Sequence, residues 1–352
     1  MELEGIRKEI DKIDLEILHA LNKRLELAVM ARRHKTRVED GSREAEILQR
    51  VMRQSRGLLG HDFSSGLYAK ILEKSKALQG LEMKLIGFQG EHGAFSDVAA
   101  SISYPDAITI PFQEFADVFE AVKDGDLDMG IVPIENSLAG SISQVEDLLV
   151  QSDLHIVGEA KLPIRLCLMT LRETEYRDIK VVYTHPVAAS QCRHFLSRQK
   201  LTLRPYYDTA GAARMLARDR PLGSAVIASK LCAELYELEI VKENVEDRSQ
   251  NETRFVLLAR ERSREAGDKC AIAFSVPHKA GSLYGVLKVI ADASINLTRI
   301  ESRPIPGEPG NFAFLLDLSG SDRDPKVKGV LEEVRRLTTM YKFLGCYREA
   351  RA

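Results

Sequence analysis

Residues 6–40 contain neither glycine nor proline, and this restricts the start of the chain more than any other feature. With no helix breaker present, the spacing of apolar residues decides the local form. Ile6, Ile10, Ile13, Ile17, Leu21, Leu25 and Ala28 follow at steps of three and four, which places them on one face of an α-helix. A single helix over 6–40 would be roughly 50 Å long at about 1.5 Å per residue. Two shorter helical stretches, 42–56 and 63–78, follow, with Gly57 and Gly60 between them. About eighty residues cannot cover the apolar stripe of so long a rod, so the expectation is an intertwined helical dimer.

After residue 84 the pattern changes. Short runs such as "KLIGF", "AITIPF", "MGIVPI", "IRLCLMT" and "SAVIAS" alternate with helical stretches near 115–123, 188–198 and 210–217. Such alternation predicts mainly parallel sheets covered by helices, and about 180 residues suffice for two α/β lobes around a cleft. A charged linker, 260–269, then precedes a strand at 270–276 and a helix at 282–293. Strands near 296–302 and 312–318, a helix at 326–337 and a last strand ending near Gly345 complete the order βαββαβ, which fits a ferredoxin-like α+β fold. The fold class expected is multidomain: an all-α helical part at 1–80, a two-lobed α/β part at 84–262 and an α+β ferredoxin-like part at 270–350.

Composition narrows the partners. The chain carries 50 Lys and Arg against 52 Asp and Glu, a formal net charge of -2, so no basic field favours nucleic acid or an anionic membrane. Nowhere do ~20 apolar residues run together, so no membrane span is expected. The N-terminus is charged and amphipathic, without the apolar core of a signal peptide. The five cysteines are scattered, with no CxxC pair and no histidines at zinc spacing. They read as reduced thiols of a cytoplasmic protein and imply no metal. In "GFQGEHGAFSDVAA" the glycines run GxxGxxG through Gly87, Gly90 and Gly93. The dinucleotide pattern is GxGxxG, so no cofactor is expected.

Several polar residues fall where ligands gather. Arg24 and Lys35 lie three helical turns apart and would point the same way within ~20°. Arg7 is rotated ~100° from Arg24, so in a symmetric dimer it could complete a pocket begun by Arg24 and Lys35 of the other chain. Guanidinium groups grip carboxylates in a planar, two-point fashion, so the pocket suits a small dianion; a solvated charged face is the alternative. Arg43 and Glu44 open the second helix, while Ser75 and Gln79 stand at i, i+4 on the third. Further on, free amides at the helix start beside Ser96 would welcome a carboxylate. Glu135, Asn136 and Ser137 end a strand, Gln191 follows "YTHPVAAS", and Thr253 and Arg254 stand before the apolar run that opens with Phe255. Strand ends of this kind are where α/β sheets bind ligands. His92 and His185, with no metal spacing around them, read as loop residues.

The helical part resembles the all-helical class of chorismate mutases through Arg7, Arg24, Lys35, Asp40, Arg43, Glu44, Ser75 and Gln79. Its stretch between Lys35 and Arg43 is somewhat shorter than in those relatives. The resemblance implies that Arg7, Arg24 and Arg43 hold the two carboxylates of chorismate, with Asp40 and Ser75 in the same substrate site. Lys35 and Gln79 would donate hydrogen bonds to the ether oxygen, and Glu44 would take the ring hydroxyl. The reaction is a pericyclic rearrangement, which requires no nucleophile, metal or cofactor.

The middle part resembles prephenate dehydratase, whose hallmark triplet appears as Thr253, Arg254 and Phe255. The resemblance implies that Thr253 donates to the departing ring hydroxyl, while Glu135, Asn136 and Gln191 orient substrate or relay a proton. Ser96, Ser137, Arg254 and Phe255 would serve substrate binding, with Arg254 either holding a carboxylate or bracing the loop. Ala94 stands where relatives often carry a hydroxyl residue. The last part, "AGSLYGVLKVIADASINLTRIESRP", resembles the ACT regulatory domain attached to prephenate dehydratases, with Ser282 and Tyr284 replacing smaller residues. That implies phenylalanine as a feedback inhibitor held by Gly281, Ser282, Leu283, Glu301, Ser302 and Arg303 at a dimer interface. Together the resemblances imply a bifunctional chorismate mutase–prephenate dehydratase of phenylalanine synthesis, a cytoplasmic homodimer or tetramer acting on chorismate and then prephenate. Two rivals are a monofunctional prephenate or arogenate dehydratase with a helical dimerisation arm, and a non-catalytic amino-acid sensor.

Overall fold

The computed structural model describes residues 3–305, 307, 308 and 310–350. Between Leu85 and Ile86 the chain divides into two compact units.

The first unit is three helices, α1 (Leu3–Ala31), α2 (Gly41–Gln54) and α3 (His61–Gln79). The helix expected over 6–40 stops at Ala31. The following segment, "RRHKTRVED", concentrates like charges and offers no apolar face, so tertiary packing does nothing to extend the helix. Arg32–His34 make one 3₁₀ turn, closed by the Lys35 N–H on the Arg32 carbonyl, and Lys35 itself is extended, with φ -110° and ψ 140°. Lys35 therefore does not share a helical face with Arg24, as a continuous helix would have required. Along α1, Ile6, Ile10, Ile13 and Ile17 are 42–55% exposed, whereas Val29 near its end is buried at 4%. Within one chain, the first four residues of the stripe are left exposed.

The second unit begins with a lobe of β1 (Leu85–Gln89), α4 (Phe95–Ser103), β2 (Ile108–Phe112), α5 (Phe115–Asp124), β3 (Met129–Asn136), β4 (Gly140–Ser141), α6 (Ser143–Gln151) and β5 (His155–Pro163). The chain then crosses to a second lobe. This lobe runs β6 (Cys167–Thr170), β7 (Val181–Thr184), α7 (Pro186–Gln191), α8 (Arg193–Arg198), β8 (Thr202–Pro205), α9 (Thr209–Asp219), β9 (Ser224–Ala228), α10 (Lys230–Leu235) and β10 (Glu239–Lys242). It returns as β11 (Glu252–Ala259), inserted between β3 and β5 in the order β2-β1-β3-β11-β5. The second sheet runs β10-β6-β9-β7-β8.

Neither sheet is mainly parallel, contrary to the expectation. β1 and β3 are parallel, but β11 is antiparallel to both its neighbours. In the second sheet β7 is parallel to β8 and β9, while β6 is antiparallel to both its neighbours, β9 and β10. The reversed strands are those on which the chain enters one lobe from the other, β6 and β11.

The remainder, β12 (Lys269–Ser275), α11 (Ser282–Asp292), β13 (Leu297–Pro304), β14 (Phe312–Ser319), α12 (Pro325–Leu337) and β15 (Met340–Tyr347), has the expected βαββαβ order. Its antiparallel sheet runs β13-β14-β12-β15. Ile272, Phe274, Val286, Ile290, Leu316 and Val330 fill the core between sheet and helices. The other face is covered too, since Lys269, Ala271, Asp317 and Tyr347 are all buried. It lies on the first lobe: Lys342 Nζ donates to the Leu149 carbonyl at 2.7 Å. Gly345, at φ +154°, passes so near β5 that a Cβ there would stand 2.1 Å from the Ile156 oxygen, so only glycine fits that approach.

Candidate functional site

In the helical unit, Arg24, Ser75 and Gln79 meet between α1 and α3. Arg24 Nη1 donates to Ser75 Oγ at 2.8 Å, and that hydroxyl donates to the Ile71 carbonyl, so Ser75 braces the guanidinium. Gln79 Nε2 donates to the Ala28 carbonyl at 2.8 Å, while its buried Oε1 has no hydrogen-bond partner. Glu44 pairs with Lys76 across α2 and α3 at 2.9 Å. Asp40 is the N-cap of α2: its carboxylate accepts the Arg43 N–H at 3.0 Å. That bond, with a second from Ser42, holds it below the ordinary carboxylate range. Asp40 thus has a structural task within the chain, and the Arg43 side chain is engaged with Glu46 at 2.6 Å. Arg7 is exposed and lies roughly 25 Å along α1 from Arg24 at about 1.5 Å per residue. One chain does not bring Arg7 to the other residues.

In the second unit, Thr253 and Asn136 are register partners on β11 and β3. The Asn136 carboxamide joins them. Its Oδ1 accepts the Leu138 and Ala139 N–H groups at 3.0 and 2.9 Å, which fixes the amide orientation. Nδ2 therefore points the other way and donates to Thr253 Oγ1 at 2.9 Å, Asn251 Oδ1 at 2.8 Å and the Glu252 carbonyl at 3.1 Å. A hydroxyl has one donor and two acceptor positions. With Asn136 on an acceptor position, the Thr253 hydroxyl keeps its donor position. Ser137 ties the same corner, donating to the Gln250 carbonyl and accepting the Glu252 N–H.

Because β1 runs parallel to β3, the loop after β1 lies at the same end of the sheet. The second lobe clasps that loop: the Tyr236 hydroxyl donates to the His92 carbonyl, Ser229 to the Gly93 carbonyl, and Arg214 pairs with Glu91. Gly93, at φ +91°, comes so close to Cys232 that a Cβ would sit 2.8 Å from its sulfur. Ser96 is buried in the first turn of α4. His92 bonds Asp97, and His185 caps α7 through Nδ1, which accepts the Val187 N–H at 3.2 Å. Burial lowers the His185 pKa, consistent with a neutral ring. Gln191, at the end of α7, lines a cavity of about 370 Å³ with Leu138, Ala139, Arg193, Asp247 and Arg248. It adjoins the Asn136 turn but does not include Thr253.

Three expected site residues stand elsewhere. Successive side chains on a strand point to opposite faces, and Glu135 and Arg254, register partners next to Asn136 and Thr253, face away from the cleft. Arg254 is 4% exposed. Its Nε donates to Glu159 at 2.8 Å, and Nη2 donates to the Tyr347 hydroxyl at 2.9 Å and stands 2.7 Å from Asp317. Glu135 is 3.0 Å from Arg299 Nε. The Arg254 guanidinium is thus taken up by protein groups, and Glu135 is paired through Oε2. Phe255 is 1% exposed and belongs to the core. In the last domain the expected effector set is split. Gly281 caps α11 in the left-handed region at φ +85°, with Ser282 and Leu283 in its first turn, and Ser302 shares the face of its partner Phe314. Glu301 and Arg303 take the opposite face, where Glu301 accepts from Ser141 and Arg303 grips Asp147 with two nitrogens at 2.9 and 3.2 Å. They contact the first lobe instead of the α11 start.

Asn251, Lys269, Arg299, Asp317 and Tyr347 were not singled out from sequence. A signal was present for two: Asp317 interrupts the apolar "FAFLLDLS", and Lys269 heads "CAIAFS". Charges in such runs are rarely buried unless paired.

A family model for prephenate dehydratase matches residues 86–263, one for chorismate mutase type II matches 6–80, and one for the ACT domain matches 271–336. A bifunctional chorismate mutase/prephenate dehydratase of Aquifex aeolicus is 33% identical over 99% of this chain and 98% of its own length. An Arabidopsis thaliana protein named arogenate dehydratase/prephenate dehydratase 2, chloroplastic, is 37% identical over 74% of this chain and 72% of its own. Among solved structures, prephenate dehydratase from Arthrobacter aurescens in complex with L-Phe has a TM-score of 0.70 at 31% identity, covering 76% of this chain and 90% of that one. GqqA, described as a novel type of quorum quenching acylase, has a TM-score of 0.71 at 34% identity, covering 76% and 98%. No helix among the described residues is long and apolar enough to cross a membrane. The order of its three domains and the near full-length match to the Aquifex protein place the chain in the family of bifunctional chorismate mutase/prephenate dehydratases that end in an ACT domain.

Proposed function

We propose that the chain rearranges chorismate to prephenate in its helical unit and converts prephenate to phenylpyruvate, carbon dioxide and water between the two lobes. The observation that carries the second step is the Asn136–Thr253 bond. By filling an acceptor position it leaves the Thr253 proton for the ring hydroxyl that departs as the carboxylate is lost. Threonine is a weak acid, so its part is donation and orientation, and aromatisation of the ring supplies the driving force. Gln191 at the end of α7, Ser96 in the first turn of α4 and Ser137 just after β3 orient the substrate.

In the helical unit Arg24, braced by Ser75, and Arg43 bind carboxylates. Lys35 and the second N–H of Gln79 stabilise charge developing on the ether oxygen, and Glu44 takes the ring hydroxyl. A second copy of the chain supplies Arg7. The uncovered stripe of Ile6, Ile10, Ile13 and Ile17 supports that dimer. Gly281, Ser282, Leu283 and Ser302 form the part of the ACT domain that receives phenylalanine, a reading supported by the L-Phe complex of the Arthrobacter protein. The buried free cysteines suit a cytoplasmic enzyme.

Incubation of purified protein with chorismate tests the whole reading, following loss of chorismate and formation of prephenate and phenylpyruvate. Lys35→Ala should abolish the first conversion and spare the second, and Thr253→Ala the reverse. Equal loss of both in either variant would refute two separate sites.

A further inference from the structure

Two pairs of charges face one another across the boundary between the dehydratase and ACT sheets. Glu135 and Arg254 are register partners on β3 and β11. Opposite them, Arg299 and Asp317 are register partners on β13 and β14. Each cation meets an acid across the boundary: Arg254 Nη2 lies 2.7 Å from Asp317, and Arg299 Nε lies 3.0 Å from Glu135. Both are charge contacts bent away from ideal hydrogen-bond alignment. The arginines are 4% and 8% exposed and Asp317 2%.

The surroundings add further charges. Beside Arg254, Glu159 accepts from both its Nε and Lys269 Nζ, and the Tyr347 hydroxyl accepts from Nη2. Arg299 also hydrogen-bonds Glu146. Lys269 Nζ also pairs with Glu349 at 3.0 Å, so two cations, Arg254 and Lys269, are set among three carboxylates, Glu159, Asp317 and Glu349.

We propose that Asp317 and Arg299, which lie outside the dehydratase domain, are positioning residues for the dehydration step, fixing Thr253 through Arg254 and Asn136 through Glu135. The proposal rests on the reading of Thr253 as the donor to the departing hydroxyl. Its basis is strand geometry: each anchored side chain is the immediate neighbour in sequence of a cleft residue, so a shift of the anchor moves the Thr253 and Asn136 backbone with it. A catalytic group misplaced by about 1 Å can lose about 100-fold in rate. The anchor is stiff because Arg254, Asp317 and Glu159 are buried together, so removing one charge unbalances the others. A role confined to holding two domains together would change stability and leave turnover on the folded protein untouched.

The test uses the full chain with prephenate as substrate, measuring kcat and KM, and mutase activity with chorismate on the same preparations. Asp317→Asn and Arg299→Ala should lower dehydratase kcat about 10- to 100-fold, with KM changed less than about threefold. Mutase activity should be retained, and Arg299→Lys should recover most of the rate lost in Arg299→Ala. Because the effect passes through Thr253, Asp317→Asn should change kcat little further in a Thr253→Val background. A folded Asp317→Asn protein with wild-type kcat, a change confined to KM, or a loss that multiplies undiminished with Thr253→Val would overturn the proposal. Should Asp317→Asn lose mutase activity as well, through misfolding, the Arg299→Ala and Arg299→Lys pair decides by the same criteria. If the wild-type chain forms no phenylpyruvate, the site reading falls and takes the proposal with it. Normal wild-type turnover with unaffected variants removes the positioning role alone.

Discussion

Replacing Asn136 with aspartate changes almost no volume and reverses the polarity of one end of the side chain. One oxygen can still accept the Leu138 and Ala139 N–H groups, so the turn after β3 is preserved. The other then faces Thr253 Oγ1, Asn251 Oδ1 and the Glu252 carbonyl, each of which previously received a proton from Nδ2. Thr253 can answer by turning its own O–H toward the new carboxylate; the two carbonyl oxygens cannot. At about 1 kcal/mol net per neutral hydrogen bond, the two lost N–H donors amount to roughly 2 kcal/mol of stability, more if the carboxylate stays ionised against those oxygens.

The kinetic effect is the more informative one. A Thr253 proton turned toward the introduced carboxylate no longer faces substrate, so the Asn136→Asp enzyme loses a preorganised donor to the leaving hydroxyl. Removal of one such donor typically lowers kcat by about 10²–10³, or roughly 3–4 kcal/mol. Phenylpyruvate formation from saturating prephenate, read beside a urea unfolding curve, separates the two effects. Asn136→Asp should fall within about tenfold of Thr253→Val, and the double variant should be little worse than either, since both remove the same proton. A folded Asn136→Asp enzyme within threefold of wild-type kcat would refute the reasoning.

The stripe on α1 predicts that Ile10→Glu with Ile13→Glu yields a monomer by sedimentation and loses mutase activity, because the proposed site takes Arg7 from a second chain; a dimeric, active double variant would contradict this. Burial holds the His185 pKa below its ordinary 6.5, so the neutral ring contributes stability above 6.5 that is lost as pH falls through the folded value. Protonation also removes the Nδ1 acceptor that caps α7. The thermal midpoint of the wild type should therefore fall more between pH 6.5 and 5 than that of His185→Asn, which keeps a capping acceptor without titrating; parallel curves would exclude His185 as a source of acid lability.

The elements whose form depends on local pattern were legible in the sequence. Isoleucines at steps of three and four fixed α1, and strand, helix and turn residues in series gave the βαββαβ order. The end of α1 was not legible, because "RRHKTRVED" contains no breaker and stops the helix only through crowded charge and lack of burial. The mixed sheets were hidden for a different reason. Apolar runs report that a strand is buried, but its direction depends on where the chain has been, and β11 returns from another lobe to lie between β3 and β5.

The Thr-Arg-Phe triplet shows why adjacency in sequence misdirects the choice of site residues. On a strand, three consecutive side chains serve different surroundings. Thr253 meets Asn136 at the cleft, Arg254 meets Asp317 behind the sheet, and Phe255 is sealed in the core. The same alternation sends Asn136 forward and Glu135 back, and on β13 it divides Ser302 from Glu301 and Arg303. Half of a polar motif at a strand end can therefore hold the sheet for the half that meets the ligand. A hydroxyl donor needs a fixed backbone more than it needs further polar neighbours, and an arginine buried among carboxylates one residue away provides that fixity without entering the cleft.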